Sequence, residues 1–168
     1  TPRLEAPGVV LRPLDRADAP ALFAAHSDVH THQYWSGPAH KTVEQTAEYI
    51  QGTIDLPGAH AWAITESGGE ALGRIALFAV RDGVGEVGVI MRREATGRGL
   101  ASKALKLVDE YGFSALGLHR IARLVGGDSS GALVLQHRGG SSRARSVRWA
   151  VGPRGSGLLD AAVKSCDG

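Results

Sequence analysis

The sequence predicts a mixed α/β (α+β) domain: a central sheet with antiparallel N-terminal strands, one parallel strand pair around a glycine-bearing loop, and flanking helices. Three observations predict it. Between residues 61 and 91, three apolar runs are separated only by Ser67-Gly68-Gly69 and Asp82-Gly83. These are turn signals too short to hold a helix, so the strands are hairpin-linked. A long amphipathic run then separates the apolar stretch Val87–Met91 from the next one at 120–125. Strands joined through a helix in one sheet lie parallel. Between the last hairpin strand and that run stands Arg92-Arg93-Glu94-Ala95-Thr96-Gly97-Arg98-Gly99-Leu100-Ala101, which reads as strand end, loop and first helical turn.

In chain order, Val9–Leu14 reads as a strand, with Pro13 closing it or marking an edge. Asp15 or Asp18 caps a helix over Ala19–Ala25. Thr42, followed three residues on by Gln45, forms a capping box for a second helix reaching about Ile54, and Pro57-Gly58 ends that unit. Three strands follow at 61–65, 72–78 and 86–91. The helix after the loop carries apolar residues at 100, 104, 105, 107, 108, 111 and 115, close to a 3.6-residue stripe, with Gly117 as its C′ residue. Arg120–Val125 is the next strand. Ala132–His137 suits a short helix. Val147, Trp149 and Val151 alternate with polar or small residues as in a half-buried strand, and Leu158–Val163 can pair back on it. The whole chain, 1–168, reads as one domain with an atypical segment at 136–168.

The loop at 92–101 has the chemistry of an anion cradle. The first N–H groups of a helix lack helical partners and sit at its positive end. Glycine lets backbone N–H groups close on a phosphate, and Arg92, Arg93 and Arg98 add cationic donors. A P-loop does not fit, because no Gly-Lys pair follows. The dinucleotide pattern does not fit either, because Ser102 stands where its third glycine belongs and the upstream strands are hairpins. A plain tight turn entering a helix remains the bland alternative.

Charge distribution points the same way. Residues 1–70 carry a net −5 and residues 71–168 a net +7, so the basic half holds the loop, which favours a polyanionic ligand. The single cysteine, Cys166, cannot close an internal disulfide, which points to a reducing, cytoplasmic setting. No apolar stretch approaches a membrane span and no signal peptide is visible; Thr1 in place of Met points to a trimmed start.

The order of elements resembles the GNAT family of acyl-CoA-dependent N-acyltransferases. Thr1-Pro2-Arg3-Leu4, Leu11-Arg12-Pro13-Leu14, Asp18-Ala19, Trp62-Ala63-Ile64, Gly73-Arg74-Ile75, Glu86-Val87-Gly88, Gly97-Arg98-Gly99-Leu100-Ala101 and Gly117-Leu118-His119-Arg120-Ile121 resemble its RimJ/RimL-like branch. The match runs from about Arg3 to Val125. It implies the GNAT fold and acetyl-CoA as donor, with CoA released as product. It also implies a primary amine as acceptor, either a small molecule or a protein N-terminus. A homodimer is compatible with it.

The resemblance also implies roles. The family's cradle motif, Q/R-x-x-G-x-G/A, would place Arg92, Gly97, Arg98, Gly99, Leu100 and Ala101 at the CoA pyrophosphate, with Glu94 where the family has Gln or Arg. Arg92, Arg93 and Arg98 would offset that carboxylate. By position, Val89, Ile90 and Met91 would supply a strand edge for the pantetheine arm, as in strand addition. Glu86 is the candidate base for an amine that must lose a proton to attack, weighed against a strand-end carboxylate in an ion pair. His119 is a weaker candidate, with packing at a strand start favoured. His32, Tyr34 and Trp35, with His30, would line the acceptor pocket. His26, His30, His32 and His40 fall close together, but no Cys or spaced carboxylate completes a ligand set, so no metal is expected.

After Val125 the chain departs from the family pattern. Ser129 stands where the family has Asn, as a cofactor contact; Ala132 stands for its Ser and Ser141 for its Phe. No acid lies between Asp128 and Asp160, while five arginines do. Two other readings follow: a CoA-binding module with impaired catalysis, and nucleic-acid binding through the arginine-rich end. The second is disfavoured because only Trp149 interleaves those arginines.

Overall fold

The computed structural model of the chain describes residues 1–29, 38–124, 131–138 and 141–148. Eight strands form one sheet in strictly sequential order: β1 (Leu4–Ala6), β2 (Val9–Pro13), β3 (His60–Thr65), β4 (Gly73–Arg81), β5 (Val84–Met91), β6 (Arg120–Leu124), β7 (Gly131–Arg138) and β8 (Ser141–Arg148). Among the described residues, three helices flank it: α1 (Ala19–Ser27), α2 (Val43–Asp55) and α3 (Leu100–Ser114). Every neighbouring pair is antiparallel except β5–β6, which runs parallel from Val84↔Arg120 to Val87↔Arg123 across the α3 crossover. The expected mixed sheet with a parallel pair at the loop is therefore the fold observed.

Local chemistry accounts for the elements. Asp15 caps a 3-10 turn over Arg16–Asp18, accepting from the Ala17 N–H at 2.7 Å, and Asp18 returns the favour at the Asp15 N–H, 3.0 Å. α1 continues directly from that turn, so both candidate caps serve one helix start. Thr42 caps α2 by accepting from the Gln45 N–H, while the Gln45 side chain accepts from Lys41 N–H rather than from Thr42. Asp82 and Gly83 both have positive φ, 51° and 73°, in a two-residue β4–β5 connection. That pairing is the type I′ turn that matches the twist of a hairpin. Beyond α3, Gly117 turns left-handed at φ 66°, and the Leu118 N–H closes on the Gly112 carbonyl at 3.0 Å.

The two faces of the sheet differ in side-chain size. Leu11, Trp62, Ile64, Ile75, Leu77 and Val87 pack with Ala104, Val108 and Ile121 on the α3 side. Ala61, Ala63 and Ala76 pack with Leu22, Ala47 and Ile50 on the α1–α2 side. Small residues facing two helices and large ones facing one leave both faces of β3 buried, which explains its nearly continuous apolar sequence.

Two expectations are corrected. Residues 132–137 form part of β7, not a helix. The run Ala-Leu-Val-Leu is too short for its period to decide, and pairing with β6 and β8 decides it as strand. The Gly139-Gly140 pair separating β7 from β8 is a two-residue hairpin signature that a reading by periodicity overlooks. The strand expected at 147–151 begins earlier, at Ser141, because its register is set by the Arg138↔Ser141 pair; Trp149, Val151 and Leu158–Val163 lie outside the described residues. β1, only three residues long, had no separate sequence signal.

Candidate active site

The cradle is built where β5 runs into α3. After Met91, Arg93–Ala95 make one 3-10 turn, and the Thr96 hydroxyl closes it by donating to the Arg93 carbonyl at 2.6 Å. Gly97 and Gly99 then take positive φ, 75° and 73°, and Gly99 is the N-cap of α3. The first helical bond is Lys103 N–H to Gly99 carbonyl, 3.1 Å, so the N–H groups of Leu100, Ala101 and Ser102 stand outside the ladder. A Cβ placed on Gly97 or Gly99 would meet nothing within 4 Å. Glycine at these positions is demanded by backbone angle, and the space before the helix end is open. Oriented N–H donors around an open concavity fit a phosphate or pyrophosphate.

The position of the helix cap also allows a second register for the cradle motif. Glu94 lies in the 3-10 turn, ahead of both glycines, and is exposed. With Gly99 at the cap and Ala101 in the first turn, the same spacing also fits Thr96–Ala101, a register in which Thr96 stands at the Gln/Arg position.

The cationic donors are engaged. Arg92 donates to Glu70 at 2.5 Å and to Glu94 at 2.7 Å, and Arg98 pairs with Glu66. Its hydrogen bonds to Glu70 and Glu94 push the Arg92 guanidinium further up. The Glu94 carboxyl is lowered, first by its own backbone N–H and then by Arg92. Of the three arginines expected to offset Glu94, only Arg92 pairs with it among the described residues; Arg92 is also held by Glu70, and Arg98 by Glu66, both from the β3–β4 connection. Arg93 makes no ion pair among the described residues. Glu66 and Glu70 were missed from sequence; the visible signal was two acids flanking the Ser67-Gly68-Gly69 turn.

Among the described residues, β5 also carries an edge that no strand pairs. Its pairing with β6 ends at Val87↔Arg123, while β5 continues to Met91. The Arg92 N–H donates to the Leu72 carbonyl at 2.9 Å, on the β4 side. Backbone groups alternate along a strand, so Ile90 also faces β4, whereas Val89 and Met91 turn their N–H and C=O toward the edge that β6 leaves. Among the three residues expected at that edge, these two present their backbone to it.

Glu86 lies four residues before Ile90 on the same strand, opposite Phe78 of β4 and Ala122 of β6. Its side chain shares the α1–α2 face with Phe78. It is half-buried, makes no hydrogen bond or ion pair among the described residues, and burial raises its carboxyl above the ordinary range. The strand-end ion pair weighed against catalysis is absent from the described residues. Along that face, Gly88 and Ala76 separate Glu86 from Arg74, about 13 Å away at 3.3 Å per residue.

Arg74 was not singled out from sequence. It is fully buried, donating to His26 Nε2 at 3.2 Å and to the Tyr49 hydroxyl at 2.8 Å, with its guanidinium 4.8 Å from the Tyr49 ring centre. His26 stacks on His40 at 4.8 Å, and His40 Nδ1 lies 3.0 Å from the Thr46 hydroxyl. These histidines belong to a buried polar cluster, and no group of three among the described residues could hold a metal ion. The His119 ring lies against Gly83, whose added Cβ would come within 2.5 Å of Nδ1, at the β5 end away from the cradle. His30, His32, Tyr34, Trp35 and Ser129 lie outside the described residues. No helix among the described residues is long and apolar enough to cross a membrane.

Comparison with known proteins bears on this geometry. The acetyltransferase (GNAT) domain profile matches residues 9–127. The N-acetyltransferase YoaA of Bacillus subtilis, named as uncharacterized, is 32% identical over 130 residues, spanning 74% of this chain and 73% of its own. Spermidine N(1)-acetyltransferase of Escherichia coli is 25% identical over 136 residues, spanning 80% of this chain and 73% of its own. In shape, a GNAT-family acetyltransferase from Bacillus anthracis matches with TM-score 0.65 and 21% identity, over 73% of this chain and 72% of that one. Spermidine N-acetyltransferase from Vibrio cholerae, solved with CoA and spermine, matches with TM-score 0.61 and 19% identity, over 69% and 70%. The two structural matches bear on fold alone. With the profile covering the sheet from β2 to β6 and the cradle between, the chain belongs to the GNAT acetyltransferase family and is an N-acetyltransferase.

Proposed function

We propose that this chain moves an acetyl group from acetyl-CoA to a primary amine by direct attack, as a member of the RimJ/RimL-like branch. The observation that carries this reading is the layout of β5. One strand bears a buried-raised carboxylate at Glu86, a free backbone edge at Val89 and Met91, and a glycine-lined helix N-terminus just beyond.

Acetyl-CoA supplies an acyl carbon already activated by a thiolate leaving group. The chain's own groups do the rest. The N–H groups of Leu100, Ala101 and Ser102 hold the pyrophosphate, with Gly97 and Gly99 giving it room. The Met91 edge and the Val89 carbonyl would bond the pantetheine amides, leaving the Val89 N–H as the donor for the thioester oxygen as negative charge grows there. The Glu86 carboxylate, made a stronger base by burial, accepts the amine proton directly or through a water. His32, Tyr34 and Trp35 line the acceptor side, and Ser129 contacts the cofactor arm; these keep the roles the family resemblance implies.

The relatives' names make polyamines the first acceptors to try, followed by amino acids, aminoglycosides and peptides with a free N-terminus. Saturable acetyl-CoA binding is measured first, then free-thiol release with each acceptor. Thiol release dependent on one amine supports the proposal. Absence of CoA binding overturns it. Binding without turnover on any amine would favour the CoA-binding module.

A further inference from the structure

We infer that Glu66 and Glu70 of the β3–β4 connection act as built-in competitors for the phosphates at the cradle, setting the affinity for acetyl-CoA. The inference rests on the proposed CoA site. Arg92, Arg93 and Arg98 lie between the end of β5 and the start of α3, and three carboxylates, Glu66, Glu70 and Glu94, pair with two of them, Arg92 and Arg98. Arg92 is bridged between Glu70 and Glu94 and further fixed by the Ala71 carbonyl at 3.4 Å; Arg98 is held by Glu66. Glu94 is local to the cradle turn. Glu66 and Glu70 come from another hairpin, 32 and 22 residues away in sequence from the arginines they hold.

An incoming phosphate must therefore draw Arg92 and Arg98 away from carboxylates already satisfying them. Both acids are well exposed, with side-chain exposure of 51% for Glu66 and 66% for Glu70, so neither ion pair is needed to hold the hairpin. Their effect falls on the ligand: each adds a negative charge beside the polyanion and occupies a donor. Removing one should tighten acetyl-CoA by about fivefold at low ionic strength, with the gain shrinking as salt screens it.

The test compares wild type with Glu66→Gln, Glu70→Gln and the double variant by acetyl-CoA titration and by KM and kcat with a working acceptor, at low and high salt. The expected result is a lower acetyl-CoA Kd and KM in each single variant, a larger drop in the double, unchanged kcat, and a steeper salt dependence. Glu48→Gln, an exposed change on α2, serves as a charge control and should leave KM unchanged. Unchanged or weakened acetyl-CoA binding in both glutamine variants would overturn the inference while leaving the CoA site standing. Absence of acetyl-CoA binding in wild type would overturn the site itself.

Discussion

Gly99 and Gly58 offer a matched pair of substitutions that separates the needs of the backbone from those of a ligand. Gly99 caps α3 at φ 73°, Gly58 turns the chain after α2 at φ 76°, and a Cβ on either would meet nothing within 4 Å. Alanine at each position therefore faces the same left-handed penalty and no clash. That penalty is about 1–2 kcal/mol, which corresponds to a fall in Tm of roughly 2–8 °C for a chain of this size. Gly99→Ala and Gly58→Ala should show this loss equally in thermal melts. They should differ in acetyl-CoA binding. On the proposed CoA site, a methyl at Gly99 would stand where a phosphate oxygen meets the α3 N–H groups, and losing one hydrogen bond to a charged group costs about 1.5–3 kcal/mol, or roughly 10- to 100-fold in Kd. Gly58→Ala should leave Kd unchanged. Equal Kd in the two variants would refute the cradle, because of the two glycines only Gly99 belongs to the proposed phosphate site. A much larger stability loss for Gly99→Ala would refute the statement that the space there is open.

Glu86→Gln should lower kcat by about 10²–10⁴-fold with little change in acetyl-CoA KM, and unchanged turnover would remove Glu86 as the base. Burial raises the Glu86 carboxyl, so the folded state favours its protonated form. Ionisation then costs stability once pH climbs above the ordinary carboxylate range, and Glu86→Gln should raise Tm at neutral pH but not at acid pH. Wild-type activity should fall in the opposite sense, dropping as pH decreases through the raised value. Gly73→Ala would place a Cβ 2.6 Å from the Ile90 carbonyl oxygen and 2.5 Å from the Met91 sulfur. The backbone cannot give as a side chain can, so urea unfolding should show a loss of about 1–3 kcal/mol or more, with acetyl-CoA KM rising because Met91 shifts. Asp18→Ala removes both hydrogen bonds from Arg12, at 2.9 and 2.6 Å, and the cap at Asp15. Urea unfolding should register about 2 kcal/mol, since Arg12 keeps access to water; a value near zero would mean that the α1 start is held by packing alone.

Legibility followed the range over which each decision is made. The β3–β4–β5 hairpins were readable because Ser67-Gly68-Gly69 and Asp82-Gly83 fix their turns locally. The α3 stripe and the Thr42 cap were readable for the same reason. The parallel β5–β6 pair followed from a rule about connections, and the register bears it out. β7 was misread because Ala132–Leu135 fits both periods, and only its neighbours in the sheet choose between them. At the site, the glycines and Glu86 stood out by residue type and place. Arg74 did not, since an arginine in Leu72-Gly73-Arg74-Ile75 looks like an ordinary outward position; α1 and α2 cover that face, and His26 and Tyr49 receive it. Which residues on β5 present a free edge was likewise hidden, because alternation gives two faces but not which neighbour stops pairing first.

Charge counting along the chain shows the same boundary most clearly. A net −5 in residues 1–70 against +7 in residues 71–168 pointed to a polyanion at the basic half. The count treats the halves as separate bodies, yet β2 and β3 from the acidic half pair into the same sheet as β4 and β5. Glu66 and Glu70 close the acidic half and lie against Arg98 and Arg92. Part of the asymmetry is consumed internally, at the very loop it was taken to describe. Anion binding there consequently depends on the direction of the donors more than on net charge. The donors that no carboxylate can satisfy from the side are the N–H groups at the start of α3, aimed along the helix axis past Gly97 and Gly99. On that reasoning, a methyl at Gly99 should impair acetyl-CoA binding more than Arg98→Gln does, because Arg98 would divide its donors between ligand and Glu66, while the helix end has no competing carboxylate among the described residues.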